Sequence, residues 1–127
     1  MEYRKRDTLP EVVLPGRMIA NAVGKGAPIE SCKMTVGFGK YCAEAGPMEP
    51  HHHAEETVYI VDAHRGRVRY GGTPDNLLHQ LTLEPGMVLH FDELEWHVFE
   101  YDQGGLIEII FIYGQTDQLR PEEITLN

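Results

Sequence analysis

The chain has 127 residues, 42% of them apolar, with 11 Lys and Arg against 20 Asp and Glu, a formal net charge of −9. That length holds one domain with a single core, and that charge repels phosphate backbones and anionic lipid, so no nucleic acid and no membrane partner is expected. No apolar run approaches the ~20 residues of a membrane span, and the basic cluster Arg4, Lys5, Arg6 leads into Asp7 and Glu11 rather than an apolar signal core, which predicts a cytoplasmic protein.

Along the chain, short segments rich in β-branched and aromatic residues alternate with Gly, Pro and Asp/Asn punctuation, and none sustains an apolar period of 3.6 residues for three turns. Strands are predicted over 18–23, 32–43, 50–53, 57–62, 65–70, 77–83, 87–91, 97–101 and 106–113, separated by turns such as "GKGAP", "EAGP", "GGTPDN", "EPG" and "DQGG". Many short strands at near-regular spacing predict an all-β sandwich or barrel. The polar tail from Gln115 is expected to wrap the surface.

Cys32 and Cys42 fall in one predicted strand, where ten residue steps place them on the order of 33 Å apart, so they are expected to be free thiols. Within the same strand Met34, Val36, Phe38 and Cys42 define a face that packs, and Thr35, Gly37 and Gly39 a face that leaves room. Arg65, Arg67 and Arg69 share one face of a later strand and read as a solvated stripe.

The densest chemistry lies in "EPHHHAEETVYIV", residues 49–61. In an extended strand His51 and His53 leave one face with ~6–7 Å between their Cα atoms, and His52 points the other way. Glu56 shares a face with Val58 and Ile60 and can enter the interior at the end of an apolar row, while Glu55 alternates outward. Two imidazoles and a carboxylate are a common set for a first-row divalent cation with positions open to water or substrate.

Together with "EPGMVLHFDELEWHVF", residues 84–99, this segment resembles the cupins, small jelly-roll barrels in which one motif supplies His-x-His and a Glu and a second motif supplies another His. Gly46 precedes the histidine run, the apolar "TVYIVD" follows Glu56, and Gly86 stands eleven positions before His97, which is the family's spacing. The resemblance implies a single-domain cupin-like jelly-roll β-barrel over 1–127, with its core at about 32–113, and a metal held by His51, His53, Glu56 and His97.

This chain departs from the pattern at several points. The interval from Gly46 to Glu56 is one residue short, so that counting from either end selects His52, whereas same-face geometry selects His51 and His53. The closing glycine of the first motif is Ala63, and in the second motif Asp92, Leu94 and Tyr101 replace Pro, Gly and Asn.

Three roles are candidates for catalysis: His90 if it reaches the cavity, Glu95 or its loop neighbour Asp92 as a base at the mouth, and Arg17 as a clamp for a substrate carboxylate. Tyr41 and Tyr59 read as packing residues, and His64 and His79 as surface.

The expected function is a metal-dependent enzyme acting on a small, oxygen-rich carboxylate, enediol or catechol-like metabolite, with Fe, Mn, Zn, Ni or Co stabilising an oxyanion or, for iron, binding dioxygen. Likeness to cupins implies a choice among dioxygenase, isomerase, decarboxylase, lyase and cyclase. The alternative is a non-catalytic metal-containing binding or sensor module. A homodimer is expected on the same resemblance and from the need to cover exposed strand edges.

Overall fold

A computed structural model describes residues 1–114 of the chain. The only helical pieces among them are two 3-10 turns, Arg6–Thr8 and Ala43–Ala45; the rest is strand and loop. Eight strands form: β1 (Val12–Leu14), β2 (Arg17–Gly24), β3 (Ile29–Glu30), β4 (Thr35–Tyr41), β5 (Glu56–Thr73), β6 (Asn76–Thr82), β7 (Val88–Phe91) and β8 (His97–Tyr113). Their hydrogen-bonded order is β1-β2-β4-β8-β5-β6, with β3 attached to β2 and β7 to β5.

Two strands are much longer than the sequence predicts, and they close the barrel. β5 joins the predicted strands 57–62 and 65–70, and β8 joins 97–101 and 106–113. The turn chemistry between the halves acts as a bend rather than a break: the β5–β8 register shifts between Ile60 and Asp62 and again between His64 and Gly66, and Arg65 takes a φ of 55°. Each strand therefore serves two layers. Residues 56–64 of β5 pair with 106–113 of β8 beside β4 and β7, and 66–70 pair with 97–101 beside β6.

Between the layers lies the core of Val58, Ile60, Val68, Phe99, Ile107, Ile109 and Phe111, each at most 3% exposed. Burial of this kind stabilises by roughly 1.5–3 kcal/mol per large aliphatic side chain. Tyr41 of β4 meets Phe99 of the other layer with ring centroids 4.8 Å apart, which ties the layers across the core.

β4 reverses the expected facing of its strand. Gly37, Gly39 and Tyr41 are the buried, inward residues, and Val36 and Phe38 face outward, half-buried. The glycines are inward because the neighbouring strand needs their space: a Cβ on Gly37 would lie 2.5 Å from Cζ of Phe111, and one on Gly39 3.0 Å from Cγ1 of Ile109. Other expectations hold with shifted bounds. The predicted strand 50–53 is reduced to a single bridge between His51 and His97, and β1 and β3 were not predicted. Cys32 is exposed and Cys42 buried, both free. The arginine stripe is a cross-strand ion-pair ladder, with Arg67 on Glu100 and Asp102 and Arg69 on Glu100. The tail from Gln115 lies outside the described residues.

Candidate metal centre

The histidine run is held in place by backbone before its side chains act. His51 N–H donates to the His97 carbonyl and His97 N–H to the His51 carbonyl, both at 3.0 Å. Residues that exchange both bonds sit directly opposite one another and project their side chains to the same face. His53, two residues on, joins that face. The opposite face receives His52 and Trp96, whose rings meet at a 41° tilt with centroids 3.9 Å apart. The alternation of the run is thus fixed by one β-bridge. Ring nitrogens of His51, His53 and His97 come within 4.8 Å of one another.

Each of these imidazoles is oriented through Nδ1. His53 Nδ1 lies 2.8 Å from the Ala54 carbonyl, His97 Nδ1 2.8 Å from the Glu95 carbonyl, and His51 Nδ1 3.4 Å from the Glu49 carbonyl. A carbonyl only accepts, so Nδ1–H is the donor and the neutral ring keeps its lone pair on Nε2. Phe91, opposite Glu56 on β7, stacks on His97 at 3.9 Å and 12° and fixes the plane of that ring. Nε2 of His97 is buried and has no hydrogen-bond partner.

Glu56 completes the cluster from the first residue of β5, its Oε1 3.4 Å from His53 Nε2 and 3.8 Å from His97 Nε2. Burial dominates the electrostatics. It pushes the Glu56 carboxyl up to about 8, against a hydrogen bond donated by Tyr113 and the positive charge of Arg17. It pushes His97 down to about 3, helped by His53, and holds His51 well below its ordinary value. Three imidazoles anchored through Nδ1, two of them held neutral by burial, beside a carboxylate that resists charge without a cation form a donor set suited to a divalent transition ion. Two buried ring nitrogens have no hydrogen-bond partner, His52 Nε2 on the opposite face and His97 Nε2; the latter lies within the cluster, 3.8 Å from Glu56 Oε1, where it fits a ligand role.

His51 and Glu56 open onto a cavity of about 470 Å³ whose wall includes Arg17, Tyr41, Phe111 and Tyr113. Burial holds the Tyr41 hydroxyl protonated, with its pKa raised. Arg17 is therefore at the cavity. The other two catalytic candidates are placed elsewhere. His90 is on the outer face of β7, with Nδ1 2.8 Å from the Thr57 hydroxyl and Nε2 2.6 Å from Glu55; its face-mate Val88 is likewise exposed, because Leu89 and Phe91 take the inward positions. Glu95 turns its carboxylate to the Asp92 N–H at 3.1 Å, and contributes its main-chain carbonyl to His97. Sequence reasoning did not single out Tyr113 or Phe91. Tyr113 alternates with Ile109 and Phe111 down the inner face of β8, and that period would have found it.

No known family's sequence profile matches this chain, and no curated protein does. Solved structures do. The polyketide cyclase RemF from Streptomyces resistomycificus superposes with a TM-score of 0.73 over 100% of this chain and 87% of its own, at 15% identity. A protein from Planctomyces limnophilus gives 0.69 over 97% and 94%, at 13% identity. Hydroxypropylphosphonic acid epoxidase from S. wedmorenis gives 0.65 over 89% of this chain, which spans 59% of the epoxidase, at 15% identity. At such identities the likeness is one of fold: this chain is an all-β, cupin-like jelly roll.

Proposed function

We propose that the protein is a metal-dependent enzyme whose ion is held by His51, His53, His97 and Glu56 and whose substrate carries a chelating oxygen group. The observation that carries this reading is the convergence of three imidazoles and a buried carboxylate, of which His51 and Glu56 face a cavity while His53 and His97 lie buried behind them. A first-row divalent ion (Fe, Mn, Zn, Ni or Co) in that position supplies a Lewis acid for negative charge developing on a substrate oxygen, with dioxygen chemistry added if it is iron.

The chain's own residues have separable tasks. The Nδ1–H bonds to Ala54 and Glu95 keep His53 and His97 from rotating. Tyr113 donates to Glu56 and orients its carboxylate. Arg17 brings positive charge to the cavity wall and favours an anionic head group, and Tyr41 offers a buried hydroxyl as donor. No chemical role is assigned to His90 or to the Glu95 carboxylate.

Elemental analysis of untagged protein purified without chelators tests the site. Wild type is expected to carry stoichiometric metal, His51→Ala, His53→Ala and His97→Ala to lose most of it, and His52→Ala to keep it. Metal-free wild type, or full retention by His97→Ala, overturns the site. Loss in His52→Ala with retention in His51→Ala reassigns the pair.

A further inference from the structure

Arg17, Ile19 and Asn21 alternate along the inner face of β2 and line the cavity of about 470 Å³; past an irregularity in the register between Asn21 and Val23, Val23 also lines it. Six residue steps at ~3.3 Å make that wall on the order of 20 Å long. On one side β1 sets Leu14 opposite Arg17 and Val12 opposite Ile19, both lining residues. On the other side β4 sets Gly39 opposite Ile19 and Gly37 opposite Asn21, so the floor between Thr35 and Tyr41 carries no side chain of its own and is covered by Phe111. The apolar part of the wall is thus Val12 (half-exposed), Leu14, Ile19, Val23 and Phe111, interrupted by Asn21 and Thr35 and flanked by Arg17 and Lys25, with His51 and Glu56 opening into it.

This volume falls within the range of pockets that enclose drug-sized ligands. A three- or four-carbon acid at the ion would leave most of the apolar wall facing water. Resting on the metal-centre reading, we infer that the substrate is a lipophilic molecule: an oxygen-bearing chelating head at His51 and Glu56, and an extended hydrocarbon chain or planar ring system of about eight or more carbons along Ile19, Val12, Val23 and Phe111.

Straight-chain alkyl hydroxamic acids from two to twelve carbons, titrated calorimetrically into cobalt(II)-loaded protein, test it. Affinity is expected to rise about fourfold per methylene, the transfer free energy of one buried CH₂, over at least five methylenes, and then to level off when the slot is full. Ile19→Trp and Val23→Trp, checked for unchanged cobalt content and thermal melt, are expected to weaken the ten-carbon ligand at least tenfold and to leave acetohydroxamate unchanged. If the protein binds cobalt but the two-carbon and ten-carbon ligands differ by less than threefold, the lipophilic substrate is wrong and the metal centre stands. If cobalt does not bind, the metal reading fails, and octanoate against acetate on the metal-free protein still decides the slot: equal binding of the two overturns it, and a length-dependent gain supports it.

Discussion

Leu94 shows how one residue can keep a shape for which its side chain is poorly suited. It has a φ of 62°, in the left-handed region, at the position where the second cupin motif has glycine. Its N–H donates to the His53 carbonyl at 2.7 Å, so the loop before His97 is fastened to the segment that carries His51 and His53. For an L-residue that conformation costs roughly 1–2 kcal/mol, and it persists because the hydrogen bond and the flanking Asp92–Glu95 turn hold it. Glycine removes the strain but loses about 0.5–1 kcal/mol through its freer unfolded chain. Leu94→Gly is therefore expected to change unfolding free energy by less than about 1 kcal/mol, whereas Leu94→Val, β-branched at positive φ, costs about 2 kcal/mol or more. Urea denaturation of the two variants measures the difference, and a Val variant as stable as the Gly variant would show that the conformation carries no strain.

At the scale of the strand, the cause of each success and failure of sequence reading is visible. The i, i+2 placement of His51 and His53 is legible because a period of two is a property of extended chain and needs no tertiary information. The facing of β4 is not legible in that way, because Val36 and Phe38 outrank Gly37 and Gly39 on hydrophobicity, and only the Phe111 and Ile109 side chains of β8 explain why the smaller residues turn inward. The halves of β5 and β8 read as four strands since turn-forming residues bend a strand and end one with the same composition. The β4 argument can be tested directly. Gly37→Ala places a methyl 2.5 Å from a Phe111 ring carbon and 3.0 Å from the Ala20 carbonyl, in a region that cannot yield without moving the cavity floor. Overpacking of this kind is expected to cost about 1–3 kcal/mol. Calorimetry of Gly37→Ala beside Gly46→Ala separates steric from backbone effects, because a Cβ at Gly46 meets nothing within 4 Å while its φ of 80° strains any other residue. A Gly37→Ala variant with unchanged stability would mean that Phe111 moves freely.

At the scale of the whole molecule the inverted β4 has a second consequence. Its outward residues Val36 and Phe38 join Ile110 and Ile112 of β8, Tyr59 of β5 and Val88 of β7 across four adjacent strands, as the register Phe38–Ile110–Tyr59–Val88 and Val36–Ile112–Thr57–His90 requires. Arg6 lies over the Phe38 ring at 4.7 Å and covers one corner, while Tyr59, Val88 and Ile112 are 42%, 66% and 40% exposed. With strands ~4.8 Å apart and rows ~7 Å apart the apolar face is on the order of 20 Å by 15 Å, comparable to the largest apolar patch of an ordinary monomer. We propose that a dimer, opposed elsewhere by a net charge of −9, would use this face, whose two central rows carry a single titratable side chain, His90, paired with Glu55. The sheet edge at β6 carries exposed Leu78 and Leu81 beside His79, Gln80 and Thr82, and is the competing surface. Light scattering coupled to size exclusion is expected to find a dimer for wild type and for Gln80→Lys, and a monomer for Val88→Lys and Ile112→Lys. A monomeric wild type at micromolar concentration, or a dimer that survives both face substitutions and breaks with Gln80→Lys, would move the contact to the edge or remove it.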